Sequence, residues 1–168
     1  IPPETIDALA ATGHFDLIIN EADGSRMRPF KAPASHEPVI PACTTIVVPV
    51  VGLDVLGQPL NEETVHRAGL VSQLSGTALA EPVTIETVVA VLGHPQGGLK
   101  HVPDLARVIP LVNKVDQPDQ LAAARELATA LLRSQRFEAV AIGAVQANTD
   151  PIIEVMSRTA AVVLAAGG

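Results

Sequence analysis

Acids and cations crowd the stretch from Glu21 to Glu37 closely enough to handle an anionic ligand. Glu21 and Asp23 are followed by Gly24, then by Arg26, Arg28, Lys31 and His36, with Glu37 beside the last. The stretch comes after the apolar run Phe15, Leu17, Ile18 and Ile19. Ligands of open α/β sheets bind outside the carboxyl ends of such strands. Carboxylates placed there can hold Mg²⁺ or a water, Asp23 being the metal candidate, and Arg26 and Lys31 can grip phosphate oxygens. The competing reading is a buried strand that runs into a solvated, charge-balanced loop.

A second constellation, Asn113-Lys114-Val115-Asp116, closes another apolar segment and opens a helix. There the Asp116 carboxylate can accept from the N1–H and N2–H₂ donors of guanine, a pairing adenine does not offer, while Asn113 and Lys114 brace the loop. Asp116 as a plain helix cap is the alternative. His36, Glu37, Cys43 and His66 are metal-ligand types, but without the tight paired spacing of a structural zinc site. A hydrogen-bonding role in the loop suits His36 better, and Cys43 reads as a small buried residue. His66-Arg67 reads as a cationic helix end.

These groups need elements to position them. Pro2-Pro3-Glu4 opens a short helix that Gly13 ends, and a strand follows over Phe15–Asn20, apolar on both faces as in a parallel sheet. Glu21 to Ala42 is a long loop stiffened by Pro29, Pro33, Pro38 and Pro41. Thr45–Val51 is a second strand, which Pro49 displaces towards an edge. Asn61 caps a helix through Arg67, Thr84 caps another that Gly93 closes, and His94 to Gly98 is a loop. Arg107–Val112 is a third strand, Pro118 opens the clearest amphipathic helix, and Phe137–Val145 is a fourth strand. Asp150-Pro151 starts a short helix before a fifth strand, Thr159–Leu164. Strands spaced by helices imply a mainly parallel sheet in a three-layer α/β fold.

Bulk properties narrow the function. The chain has 168 residues, a net charge of −7 and 2% aromatics with no Trp or Tyr. A phosphate-backbone partner is disfavoured by the charge, and base-stacking platforms are lacking, so no nucleic acid is expected. No apolar run reaches the ~18 residues of a membrane span, and the single cysteine fits a reducing compartment, so a cytoplasmic location is expected. The opening Ile1-Pro2-Pro3 and the closing Ala160 to Gly168 suggest a fragment.

The blocks EADGSRMRPFKAPASHEPVIP, VVGLDVLGQPL and VHR, with the Asn-Lys-Val-Asp strand end, resemble the YqeC family, known as selenium-dependent hydroxylase accessory proteins. Its members are similar to P-loop NTPases of the metallocentre-assembly class. The resemblance implies that Glu21 and Asp23 lie where a Walker B carboxylate acts on Mg²⁺ and water, and that Asn113, Lys114 and Asp116 face a base. Family members begin with a strand and a loop ending Gly-Lys-Thr, whereas no G-x-x-x-x-G-K-[ST] occurs in these residues. Phosphate grip by this chain alone is therefore expected to be feeble. Leu164-Ala-Ala-Gly-Gly168 is similar to the start of a molybdenum-cofactor nucleotidyltransferase, which divides the chain into an NTPase-like domain over 1–158 and a last strand or following domain over 159–168.

The expected function is GTP- or ATP-dependent accessory work, with Mg²⁺, in maturing a molybdenum hydroxylase. A hydroxylase or cofactor-insertion partner and a homodimer are the partners considered. In that reading Gly24, Arg26, Lys31, His36, Glu37 and Arg67 surround the phosphate or substrate. Two rivals stand beside it. One is a docking module using the Pro29–Pro41 loop; the other is a small-molecule kinase with Arg67 and Lys31 on the acceptor.

Overall fold

The computed structural model describes residues 1–147 and 150–158. Helix α1 (Pro3–Ala11) forms as its first-turn proline directs, and Gly13 leaves it in a left-handed conformation. The strand expected over Phe15–Asn20 does not form. Phe15, Leu17 and Ile19 are 56%, 74% and 85% exposed, and no strand pairs with them among the described residues. An apolar run becomes a strand only where a neighbour satisfies its amides and carbonyls, and none of the described residues does so here.

The central ladder is built from two interrupted strands. Strands β2 (Ile46–Val47) and β3 (Val50–Gly52) pair in parallel with β5 (Arg107–Val108) and β6 (Leu111–Asn113). Ile46 faces Arg107 and Val50 faces Leu111, so the register is unbroken and sets Pro49 opposite Pro110. Each proline removes one amide donor, yet both carbonyls stay in use. Leu111 N–H donates to the Pro49 oxygen and Ala141 N–H to the Pro110 oxygen, both at 2.9 Å. Strand β7 (Ala139–Gly143) continues the sheet in parallel on β6, and β8 (Ile152–Ser157) closes it antiparallel to β7. Asp150-Pro151 thus leads into a strand, not the expected helix. Ile152, Ile153 and Val155 are β-branched and take up the open edge of β7.

The segment after Asn61 also departs from expectation. Its Oδ1 accepts from the N–H groups of Glu63 and Thr64, which makes a single turn. Strand β4 (Val65–His66) then pairs in parallel with β1 (Phe30–Lys31), and helix α2 (Ala68–Ser75) starts beyond it. The Glu62 carboxylate caps α2, accepting from Arg67 N–H at 3.1 Å and Ala68 N–H at 2.7 Å. Helix α3 (Ile85–Leu92) has the Thr84 cap, closed into a reciprocal box with Thr87. Helix α4 (Leu121–Leu131) follows a 3-10 turn at Pro118–Gln120 and buries Ala124, Leu127, Ala128 and Leu131.

The core lies between α3, α4 and one face of the sheet, where Val51, Val112 and Ile142 are fully buried in one cross-strand row. On the opposite face the row Val50, Leu111, Ala141 and Val155 leaves Val50 51% and Val155 60% exposed. The α/β class and the mostly parallel sheet hold. The three-layer expectation does not hold among the described residues, which leave that second face without helices stacked on it. Thr159–Leu164, and with it the 159–168 segment, lies outside the described residues.

Candidate functional site

The polar stretch of the long loop folds onto β1 and the start of α2. Lys31 projects from β1 as the hub of the cluster. Its Nζ lies 3.0 Å from Asp23 Oδ2 and 2.8 Å from Glu37 Oε2, and donates at 2.9 Å to the Gly24 carbonyl. Arg67 grips the same Glu37 in fork fashion, Nη1 to Oε2 at 2.7 Å and Nη2 to Oε1 at 2.9 Å. Its Nη1 also reaches the Ala32 carbonyl at 3.2 Å. Arg67 holds a left-handed backbone, φ 62° and ψ 53°, that non-glycine residues enter only at a cost of about 1–2 kcal/mol. Glu62 on its amide and Glu37 on its guanidinium fix it there.

The electrostatics follow from this geometry. The Arg67 guanidinium holds the Glu37 carboxyl at about 2, against the upward pull of partial burial and with the help of Lys31. His66, buried on β4, is pushed below its ordinary value by desolvation first and then by Arg67, Arg26 and Lys31. It lies in a strand, which replaces the helix-end role expected of it. His36 is exposed and 3.7 Å from Glu37, while Glu21 is exposed and Arg26 stands on an exposed turn with φ 54°. Cys43 is exposed instead of buried, and the Asp7 carboxylate beside it pushes its thiol up.

One Asp23 oxygen, Oδ2, is taken by the Lys31 ammonium at 3.0 Å. Among the described residues no three His, Cys, Asp or Glu side chains converge as metal ligands.

The Asn113–Asp116 strand end reaches the same edge of the molecule. Pro29 packs on Gly52 at the end of β3, where an added Cβ would lie 2.9 Å from Pro29 Cβ and 3.1 Å from Lys114 Cδ. Only glycine admits both neighbours. Asn113 Oδ1 accepts from Val145 N–H at 3.0 Å and so braces the turn after β7. Lys114, in a left-handed conformation, pairs with Asp54 at 2.7 Å. Asp116 is exposed at the rim of a cleft of about 300 Å³, walled by Val115, Gln117, Pro118, Leu121 and Ile153. Among the described residues its carboxylate accepts no hydrogen bond, while its N–H is tied to Gln120 Oε1 at 2.8 Å.

Two side chains escaped the sequence reading. Lys100 is buried, 7% exposed, and donates to the carbonyls of Ala34 and Ser35 at 2.5 and 3.0 Å. His94, set aside as a loop residue, lines a cleft of about 420 Å³ with Lys100, Pro33, Ser35, Leu70 and Leu74. Nothing in the local sequence marks a lysine 66 residues away as the anchor of the acidic loop.

Sheet, cluster and cleft define an α/β protein with a carboxylate exposed at the carboxyl edge of its parallel strands and a cation-rich loop folded beside it. Comparison with known proteins takes this further. The family model described as "YqeC protein" matches residues 1–69. The chain is 37% identical over 144 residues to "Uncharacterized protein YqeC" of Escherichia coli (strain K12), covering 86% of this chain and 56% of that one. The chain is thus similar to YqeC proteins and spans about half the length of this curated relative. No solved structure matches it. Among the described residues no helix is long and apolar enough to cross a membrane.

Proposed function

We propose that the chain is the base-recognising part of a nucleotide-dependent accessory protein, P-loop NTPase-like in its whole form, that serves the maturation of a selenium-dependent molybdenum hydroxylase. The observation that carries the nucleotide reading is Asp116, an exposed carboxylate at the rim of an apolar cleft formed where a parallel strand ends. A flat purine suits the walls given by Val115, Pro118, Leu121 and Ile153, and guanine offers the carboxylate two donors. Asn113 supports this by fixing the turn after β7 beside the cleft. The hydroxylase assignment rests on family resemblance alone.

The test is calorimetric titration of the full-length protein with GTP and ATP. GTP is expected to bind more tightly, and Asp116→Ala should erase the preference by about 10- to 100-fold, the worth of one or two hydrogen bonds to a charged group. Residues 1–168 alone, having no Gly-Lys-Thr loop, should show no saturable binding of either nucleotide below roughly millimolar concentration. Equal affinity for GTP and ATP, unchanged in Asp116→Ala, would refute the base assignment.

A further inference from the structure

The second cleft carries chemistry that the Asp116 site does not use. Lys100 is 7% exposed, and among the described residues no carboxylate lies within 4.0 Å of its ammonium. Buried lysines are ordinarily paired with a counter-charge, since an uncompensated ion in a low-dielectric site is costly. Here the nitrogen has only the Ala34 and Ser35 carbonyls, two acceptors for three N–H donors. The carboxylate nearest in sequence to these two residues, Glu37, is already shared by Lys31 and Arg67. The charge on Lys100 is thus left over beside an open cleft.

His94 supplies a second donor. The Gln96 backbone N–H donates to His94 Nδ1 at 2.9 Å, so Nδ1 carries a lone pair and the ring proton sits on Nε2. Among the described residues Nε2 has no partner. Ser35, Gln73 and Gln96 add neutral polar groups to the lining, and Leu70, Leu74 and Pro33 add an apolar wall. Loop 94–100 is held in place by its own backbone: Gly97 N–H donates to His94 O, Gly98 N–H to Val91 O and Lys100 N–H to Gly97 O. The donors are preorganised rather than gathered by the ligand.

We propose that this cleft is a binding site for the oxyanion group, phosphate or carboxylate, of a small partly apolar metabolite. Lys100 supplies the counter-charge, His94 Nε2–H the directional donor, and Leu70 with Leu74 the seat for the ligand's carbon body. The site shares no residue with the Asp116 cleft, so it stands or falls independently of base recognition.

The experiment follows backbone amide shifts of the protein by NMR during separate titrations with inorganic phosphate and succinate at constant ionic strength, chloride being the control. Saturable shifts centred on Ser35, His94 and Lys100 are expected, and the tighter of the two probes identifies the anion class. His94→Phe should weaken binding about tenfold and Lys100→Met more than that. Arg107→Gln, which removes a surface cation paired with Glu138, should leave it within twofold. If Lys100→Met does not fold, His94→Phe together with Ser35→Ala decides the matter. Shifts no larger than those of chloride, or equal weakening by Arg107→Gln and His94→Phe, would overturn the proposal.

Discussion

Glu37→Gln tests the polar cluster at the carboxylate that Lys31 and Arg67 share. Glu37 accepts the fork of Arg67 and the ammonium of Lys31, and its side chain is only 16% exposed. A carboxyl held at about 2 instead of the ordinary 4.5 favours the folded state by at most ~3 kcal/mol at neutral pH, and residual solvent contact lowers this to about 2. The folded-state value is the depressed one. The contribution is therefore complete above the unfolded value of 4.5 and drains away as pH falls through about 2. Urea unfolding of wild type and Glu37→Gln is the assay. The expected gap is about 2 kcal/mol at pH 7, roughly half that at pH 3, and a melting point about 4–8 °C lower for the variant at neutral pH. A gap that is the same at pH 7 and pH 3 would mean that Glu37 acts through packing and not through its charge, and a gap below ~0.5 kcal/mol would refute the cluster as a source of stability.

Two further substitutions probe the elements that hold the site. Thr84→Ala removes the Oγ1 that accepts from Thr87 N–H, leaves the Thr84 N–H on Thr87 Oγ1, and should cost about 1 kcal/mol by urea unfolding, with Thr84→Asp restoring most of it. Gly97→Ala would place a Cβ 2.0 Å from the Val91 carbonyl oxygen, so the loop carrying His94 and Lys100 must shift; a loss of about 1–3 kcal/mol is expected, and wild-type stability would show that the loop yields freely.

What was legible in the sequence was mostly local. Thr84, Gly93 and Pro118 mark helix ends by chemistry acting within one turn, and α3 and α4 form where those marks place them. The segments at Thr45, Arg107 and Phe137 share one parallel sheet because each is apolar, β-branched and bounded by turns. Phe15–Asn20 has the same composition and forms no strand, since pairing depends on a neighbour and composition names none. Asn61 was correctly a capping residue but of a single turn, because Val65 and His66 gain more from pairing with Phe30 and Lys31 than from extending a helix. Asp150-Pro151, read as a helix start, misled in the other direction: a strand of six residues needs only an open edge, which β7 provides.

The site divides along the same line. Asp23 and Glu37 flank Lys31 of β1 closely in sequence, and opposite charges so near one another meet readily. Arg67 joins them from 30 residues beyond Glu37 because two acids hold it in an unfavourable backbone, Glu62 at its amide and Glu37 itself at its guanidinium. That strain is itself informative. A left-handed arginine persists only where its surroundings over-determine it, and strain of this kind collects where groups are held ready for a ligand. Lys100 and His94 carried no such sign in sequence. Their significance comes from burial without a counter-ion and from a ring nitrogen fixed by a backbone amide, both properties of the folded chain alone. The cations around the loop thus fall into two groups: Lys31 and Arg67 are neutralised by acids of the same chain, whereas Lys100 meets no carboxylate among the described residues and is left for an anion.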